Sequence, residues 1–268
     1  ASLLPPALAA LRAAGRGTFP ARRGGPCAGA LAWAAHIACA VGGALTLWKM
    51  PRLRDVDEVF HGQPCIRLRA GNGDTALVAL HGAQVLSWVA AGRERLYLSP
   101  RAVFDGQAAI RGGIPLCFPQ FNQRGPLPKH GLARNLAWAA QAPAWNAEQD
   151  AAVLRLWLRS SERTRALWPQ DFEVQLTVSL GAGWMRVHMD VCNTGNTPWE
   201  FTTALHTYLA VDVLERVRLD GLDGCTRWDA MRDQHGIQSG AVAIDAEYDS
   251  VFCTPAQPLC LHDGPQGL

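Results

Sequence analysis

The segment FEVQLTVSL (172–180) alternates at every position. Phe172, Val174, Leu176, Val178 and Leu180 fall on one face, and Glu173, Gln175, Thr177 and Ser179 on the other. A period of two is the signature of a half-buried strand. MRVHMDVCN (185–193) repeats the pattern with Met185, Val187, Met189 and Val191 inward, and Gly181 and Gly183 lie between the two runs. Two alternating runs about a glycine-containing loop predict an antiparallel hairpin. AVLRLWLRS (152–160) adds a third strand, with Leu154, Leu156 and Leu158 on one face.

Upstream, DTALVALHG (74–82) and AQVLSWVA (83–90) are apolar runs joined at a glycine, and downstream EFTTALHTYLAVDV (200–213) reads as a strand around His206. No amphipathic helix is predicted after Met50. No glycine-rich phosphate loop follows a strand, so nucleotide binding has no support in the sequence. Many short strands separated by turns predict an all-β fold, a large and mostly antiparallel sandwich or barrel rather than βαβ units.

Composition refines this picture in three places. Hydrophobic residues make up 49% of the 268 positions, enough for a sizeable core. The formal net charge is +2, from 25 basic and 23 acidic residues. That balance provides no concentrated basic face for a nucleic acid. Eight cysteines (27, 39, 65, 117, 192, 225, 253 and 260) include no C-x-x-C pair. They are expected to be reduced, buried thiols of a cytoplasmic protein.

Residues 1–49 differ from the rest. Arg12, Arg16, Arg22 and Arg23 precede an apolar run over 28–48, rich in Ala and Gly. The run is close to the ~20 residues that span a bilayer. It reads either as a membrane anchor or, preferably, as sequence upstream of a natural start at Met50. The expected organisation is therefore an atypical leader, 1–49, and one β-sandwich domain, 50–268, with no membrane association unless 28–48 is an anchor.

Three segments gather polar groups beside turn residues. AIRGGIPLCFPQF (109–121) opens on Arg111 before two glycines, PLPKHGLAR (126–134) carries Lys129, His130 and Arg134, and ALHTY (204–208) carries His206. Taken singly, each has a plain reading: a surface arginine before a turn, a histidine bracing a loop, a satisfied core histidine. His81, His130 and His206 show no spacing that requires a metal.

In combination they are more specific. HGAQVLSW (81–88), IRGGIPLCFPQF (110–121), KHGLARNLAW (129–138) and ALHTYL (204–209) resemble, in order, segments of the aldose 1-epimerase superfamily, most closely its glucose-6-phosphate 1-epimerase (hexose-6-phosphate mutarotase) branch. The likeness runs from about Arg52 to about Phe252. It implies a galactose mutarotase-like β-sandwich that interconverts the α and β anomers of hexose 6-phosphates.

The resemblance implies His206 as general acid, a role suited to a side chain whose ordinary pKa lies near neutrality. It implies Arg111 and Arg134 as substrate ligands, and a guanidinium fork matches phosphate oxygens. Lys129 stands where the family often has glutamine and could add a phosphate contact. His130 is implied to donate to a sugar hydroxyl, and Asp249, in EYDSVF (247–252), to hold sugar hydroxyls. No cofactor is expected, since both steps are proton transfers. The expected partner is a small-molecule sugar phosphate, and the protein is expected to be a monomer. The family's general base is a glutamate further along the chain. The closing residues CLHDGPQGL offer none, so the expectation is a chain cut short at its C-terminus, missing its last strands and impaired in catalysis. The alternative expectation is a non-catalytic sugar-phosphate or carbohydrate-binding sandwich.

Overall fold

In a computed structural model of the chain, the alternating segments become the strands Ala151–Arg159, Phe172–Gly181 and Trp184–Asn193. The structure describes residues 58–253, 255 and 257–263, together with the backbone of 10–17. The apolar run 28–48 and the start at Met50 lie outside the described residues. Among the described residues, no helix is long and apolar enough to cross a membrane. The chain divides into two compact units, one holding described residues 10–17 and 58–209, the other those from 210 onward.

The first unit is a sandwich. One sheet runs Trp184–Asn193, Phe172–Gly181, Ala151–Arg159, Ala139–Ala140, all antiparallel, with Ala144–Asn146 also on Ala151–Arg159. The expected hairpin is present: Phe172 pairs with Asn193 and Gly181 with Trp184, and Gly183 turns the chain at φ +75°. The second sheet is a meander of Glu58–Phe60, Gln63–Arg69, Thr75–Ala79, Val85–Ala90 and Arg93–Glu94. Ile66, Leu68, Ala76 and Val78 from this sheet meet Leu154, Leu156, Val174, Leu176 and Val178 from the other in one buried core.

Thr75–Ala79 lacks clean alternation because both of its faces are covered. Leu77 and Ala79 point away from the main core into a second cluster with Cys65, Leu86 and Ile110. A strand buried on both sides reads as an unbroken apolar run. One helix was not foreseen, Glu162–Leu167. At six residues it is too short for a hydrophobic period and depends on a local cap, in which Ser161 and Thr164 exchange side-chain bonds with each other's backbone N–H. The downstream strand is also shorter than expected. It ends at Tyr208, where the first unit closes.

Phe201–Tyr208 pairs with Leu116–Cys117 on one side and with the backbone of Ala10–Gly17 on the other. In the second unit, Arg218–Asp220 lies between Val242–Ala243 and Cys260–His262, and Thr226–Asp229 between Gln234–Ile237 and Ser250–Cys253.

Phe118 connects this framework to the loops discussed below. It is fully buried, with Phe201 at 5.3 Å, Phe172 at 5.5 Å and Trp168 at 5.8 Å between ring centroids. Edge-to-face aromatic contacts add to the burial of a large apolar surface. Phe118→Ala is expected to cost about 3–5 kcal/mol, read as a lower denaturant midpoint with an unchanged slope.

Asp74 links turns of the two sheets: its carboxylate accepts the Ala91 N–H at 2.9 Å and the Gly183 N–H at 2.7 Å. A hydrogen bond from the Asn72 side chain, with these two backbone donors, holds the carboxyl below its ordinary range. A depressed folded-state pKa means that the stabilisation is present above the unfolded value of about 3.9 and is lost as pH falls through the folded value. Asp74→Asn should therefore flatten the acid limb of the stability profile. Melting temperatures of the two proteins between pH 7 and pH 2 test this; equal acid sensitivity would refute it.

Candidate active site

The segment 110–121 has to pass between the strands of the second sheet and the strand that carries His206. Two glycines make the passage possible. A Cβ on Gly112 would stand 2.5 Å from Tyr97 O, and one on Gly113 would overlap Val85 O. Their φ angles, +117° and +60°, lie in the region glycine favours. The close approach is used for hydrogen bonds. Gly113 N–H donates to Tyr97 O and Ile114 N–H to Val85 O, both at 2.8 Å. The buried Gln84 donates from Nε2 to Ile110 O at 2.9 Å and to Gly112 O at 2.6 Å. On the other side, the N–H groups of Thr202, His206 and Tyr208 donate to Pro119, Pro115 and Gly113. The result holds His206 at a fixed height on its strand.

The PLPKHGLAR loop is built on the same segment. Leu132 and Ala133 donate their N–H groups to Phe118 O, at 2.9 and 3.1 Å, and a Cβ on Gly131 would overlap that carbonyl. His130 is buried and sits at φ +69°. Its N–H donates to Asn122 O at 3.1 Å, and its Nδ1 accepts the Asn122 N–H at 3.3 Å. Ala133–Asn135 forms a single 3-10 turn. Arg134 reaches back from that turn, donating from Nη2 to Lys129 O at 2.9 Å. Its own backbone abuts Gly82, where a Cβ would stand 2.8 Å from Arg134 O. The HGA turn at 81–83 thus seats Arg134 from behind.

These paths bring His130, Arg134 and His206 into one cluster. The His130 and His206 rings are 5.6 Å apart, edge to face, and Tyr208 lies 4.9 Å from His206. Phe121 packs 5.4 Å from His130. Burial pushes the Arg134 guanidinium below its ordinary pKa, opposed by nearby Cys117 and Tyr208. Its Nε is buried without a hydrogen-bond partner. Among the described residues no carboxylate pairs with Arg134, Lys129 or Arg111. Lys129 and Arg111 are exposed, and Arg111 is tied to the group through its backbone, its carbonyl accepting Ser99 N–H at 3.1 Å.

Asp249 belongs to the second unit, where its carbonyl accepts the Ala230 N–H at 2.9 Å. His81 stands apart from the cluster's chemistry: its Nε2 hydrogen-bonds Ala108 O at 2.9 Å. A carbonyl can only accept, so Nε2 carries the proton and the ring braces the 105–108 turn. No group of three His, Cys, Asp or Glu side chains among the described residues could hold a metal ion.

Four contributors escaped the sequence reading. Tyr208 lies two residues beyond His206 and so on the same strand face, a spacing that could have flagged it. Cys117 pairs in register with Ala204, two residues before His206, but only the strand pairing reveals this. Gln84 and Gln120 act through hydrogen bonds to backbone that sequence periodicity does not encode.

Comparison with known proteins bears on the family and the fold. Residues 64–266 match the family model of aldose 1-epimerases. A protein named "Putative glucose-6-phosphate 1-epimerase" from Cenchrus ciliaris is 34% identical over 205 residues, 73% of this chain and 62% of that protein. One of the same name from Salmonella typhimurium is 33% identical over 218 residues, 79% of this chain and 68% of that protein. The chain thus spans less than two thirds of the first of these relatives. The crystal structure of a "putative mutarotase (YeaD)" from Salmonella typhimurium superposes with a TM-score of 0.66 at 31% identity, covering 75% of this chain and 67% of that one. The Slr1438 protein of Synechocystis sp. PCC 6803 gives the same TM-score at 22% identity, covering 81% and 77%, a likeness of fold.

Gly113→Ala tests the construction of the site. A side chain at positive φ costs about 1–3 kcal/mol, and the overlap with Val85 O displaces the segment as well. The expected outcome is a lower melting temperature together with altered amide shifts at His206 and Tyr208. Unchanged shifts there would show that the glycine does not set the position of the strand.

Proposed function

The chain belongs to the aldose 1-epimerase family, and we propose that its site binds a hexose 6-phosphate and serves the interconversion of its α and β anomers. The observation that carries the phosphate reading is Arg134. It is a partly desolvated cation with no carboxylate partner among the described residues and a buried Nε donor awaiting an acceptor. A buried donor left unmade costs about 1–3 kcal/mol, and an anionic oxygen removes that cost while pairing the charge. Arg111 and Lys129 add exposed positive charge on the connected segments. Asp249 is proposed to hold sugar hydroxyls.

Anomer exchange needs a proton delivered to the ring oxygen as the C1–O5 bond breaks, and the anomeric hydroxyl proton removed. His206 is proposed to deliver the first. The backbone bond from its N–H to Pro115 O at 2.9 Å fixes where the imidazole stands. His130 is proposed to donate to a sugar oxygen. The opposing base is assigned to no described residue.

Calorimetric titration with glucose 6-phosphate and with glucose tests the ligand class. Binding of the phosphate ester should exceed that of the free sugar, and Arg134→Ala should weaken it by roughly 10- to 100-fold, the range of a hydrogen bond to a charged group. Equal affinity for both sugars would remove the phosphate reading. A coupled assay of anomer conversion tests the role of His206: His206→Ala should lower the accelerated rate by about 10²–10⁴-fold. Binding with no acceleration to lose would leave a sugar-phosphate-binding protein instead.

A further inference from the structure

Gln120 is buried and makes three hydrogen bonds, all to the backbone of the loop ahead of His130. Its Nε2 donates to Asn122 O at 3.0 Å and to Leu127 O at 2.9 Å, and its Oε1 accepts the Leu127 N–H at 2.9 Å. Gly125 lies against the same amide, where a Cβ would overlap Oε1. The amide therefore pins both ends of 122–127. It also holds Asn122 at φ +57°, the conformation in which that residue's N–H and C=O both reach His130.

The direction of these bonds fixes the chemistry of the ring. The Asn122 N–H can only donate, so His130 Nδ1 must accept. A neutral imidazole that accepts at Nδ1 carries its proton on Nε2. The second nitrogen is then a donor, on a ring edge to face with His206 at 5.6 Å.

We infer that Gln120 is a positioning residue that acts through the Asn122 backbone to fix His130 in its Nε2–H tautomer, so that the site presents a donor there and selects a ligand oxygen that accepts. The ligand part of this inference rests on the function proposed above; the tautomer part does not. Gln120→Met keeps the volume while leaving Asn122 O, Leu127 O and Leu127 N–H without their partner. The Asn122 N–H is then no longer held on Nδ1.

The test combines a ligand-free and a ligand-bound measurement. Nitrogen-15 spectra of the histidine rings should show His130 of the native protein wholly in the Nε2–H form, with slow exchange of the Asn122 amide proton. Gln120→Met should admit a measurable Nδ1–H fraction, speed that exchange, and raise the Kd for glucose 6-phosphate roughly three- to tenfold, the worth of one neutral hydrogen bond. Gly125→Ala, which crowds the amide from the solvent side, should produce the same changes and serves if Gln120→Met does not fold. An Nδ1–H ring in the native protein overturns the inference. So does an unchanged tautomer and Asn122 exchange in both folded variants. If the native protein shows the expected tautomer but does not bind glucose 6-phosphate, the positioning role stands and the proposed function fails.

Discussion

The site depends on one steric constraint, the absence of side chains at Gly112 and Gly113. There the backbone of 110–119 comes so close to Tyr97 and Val85 that no Cβ fits. Because it comes so close, its peptide groups bond to the second sheet on one side and to the His206 strand on the other. Phe118 then anchors the far end of the segment in the aromatic part of the core. A loop suspended from a rigid scaffold in this way can hold side chains to the tolerance that proton transfer requires. The PLPKHGLAR loop inherits that rigidity through its two bonds to Phe118 O.

What was legible in the sequence follows from which interactions leave a periodic trace. Phe172–Gly181 and Trp184–Asn193 each have one face in the core, so their alternation predicts both the strands and the hairpin between them. Thr75–Ala79 is covered on both faces and signals only apolarity. Glu162–Leu167 is stabilised by a cap rather than by a hydrophobic stripe, and escapes a search for amphipathic helices. Much of the second unit consists of strands of two to four residues, Val242–Ala243 among them, too short for any period to register.

The site divides along the same line. His130, Arg134 and His206 stand out because polar residues beside glycine and proline, or inside an apolar strand, violate the local pattern. The structure gathers these three into one cluster. The residues that place them obey the pattern or hide within it. Gln84 and Gln120 are buried amides whose partners are backbone groups, and one of them lies 28 positions away in the chain. Cys117 acquires meaning only through strand pairing, and Tyr208 only through its place two residues beyond His206.

Electrostatics underlie the proposal that the cluster favours an anion. A guanidinium in water is fully solvated, and moving it partly out of water costs free energy unless a partner is found. Arg134 has left water on several sides and, among the described residues, found only the Lys129 carbonyl as an acceptor. A carboxylate from the protein would have satisfied it permanently, and would also have closed the position to any ligand. The unsatisfied Nε is therefore a stability cost. In the proposed function it would be recovered by an anionic oxygen of the ligand. A neutral hydroxyl recovers the hydrogen bond and leaves the charge without a counterion. In the function proposed above, discrimination between a phosphorylated sugar and a free one would reside in the charge of Arg134, and the tautomer of His130 would discriminate by donor and acceptor. In that proposal the two groups read different properties of a ligand, so neither would substitute for the other.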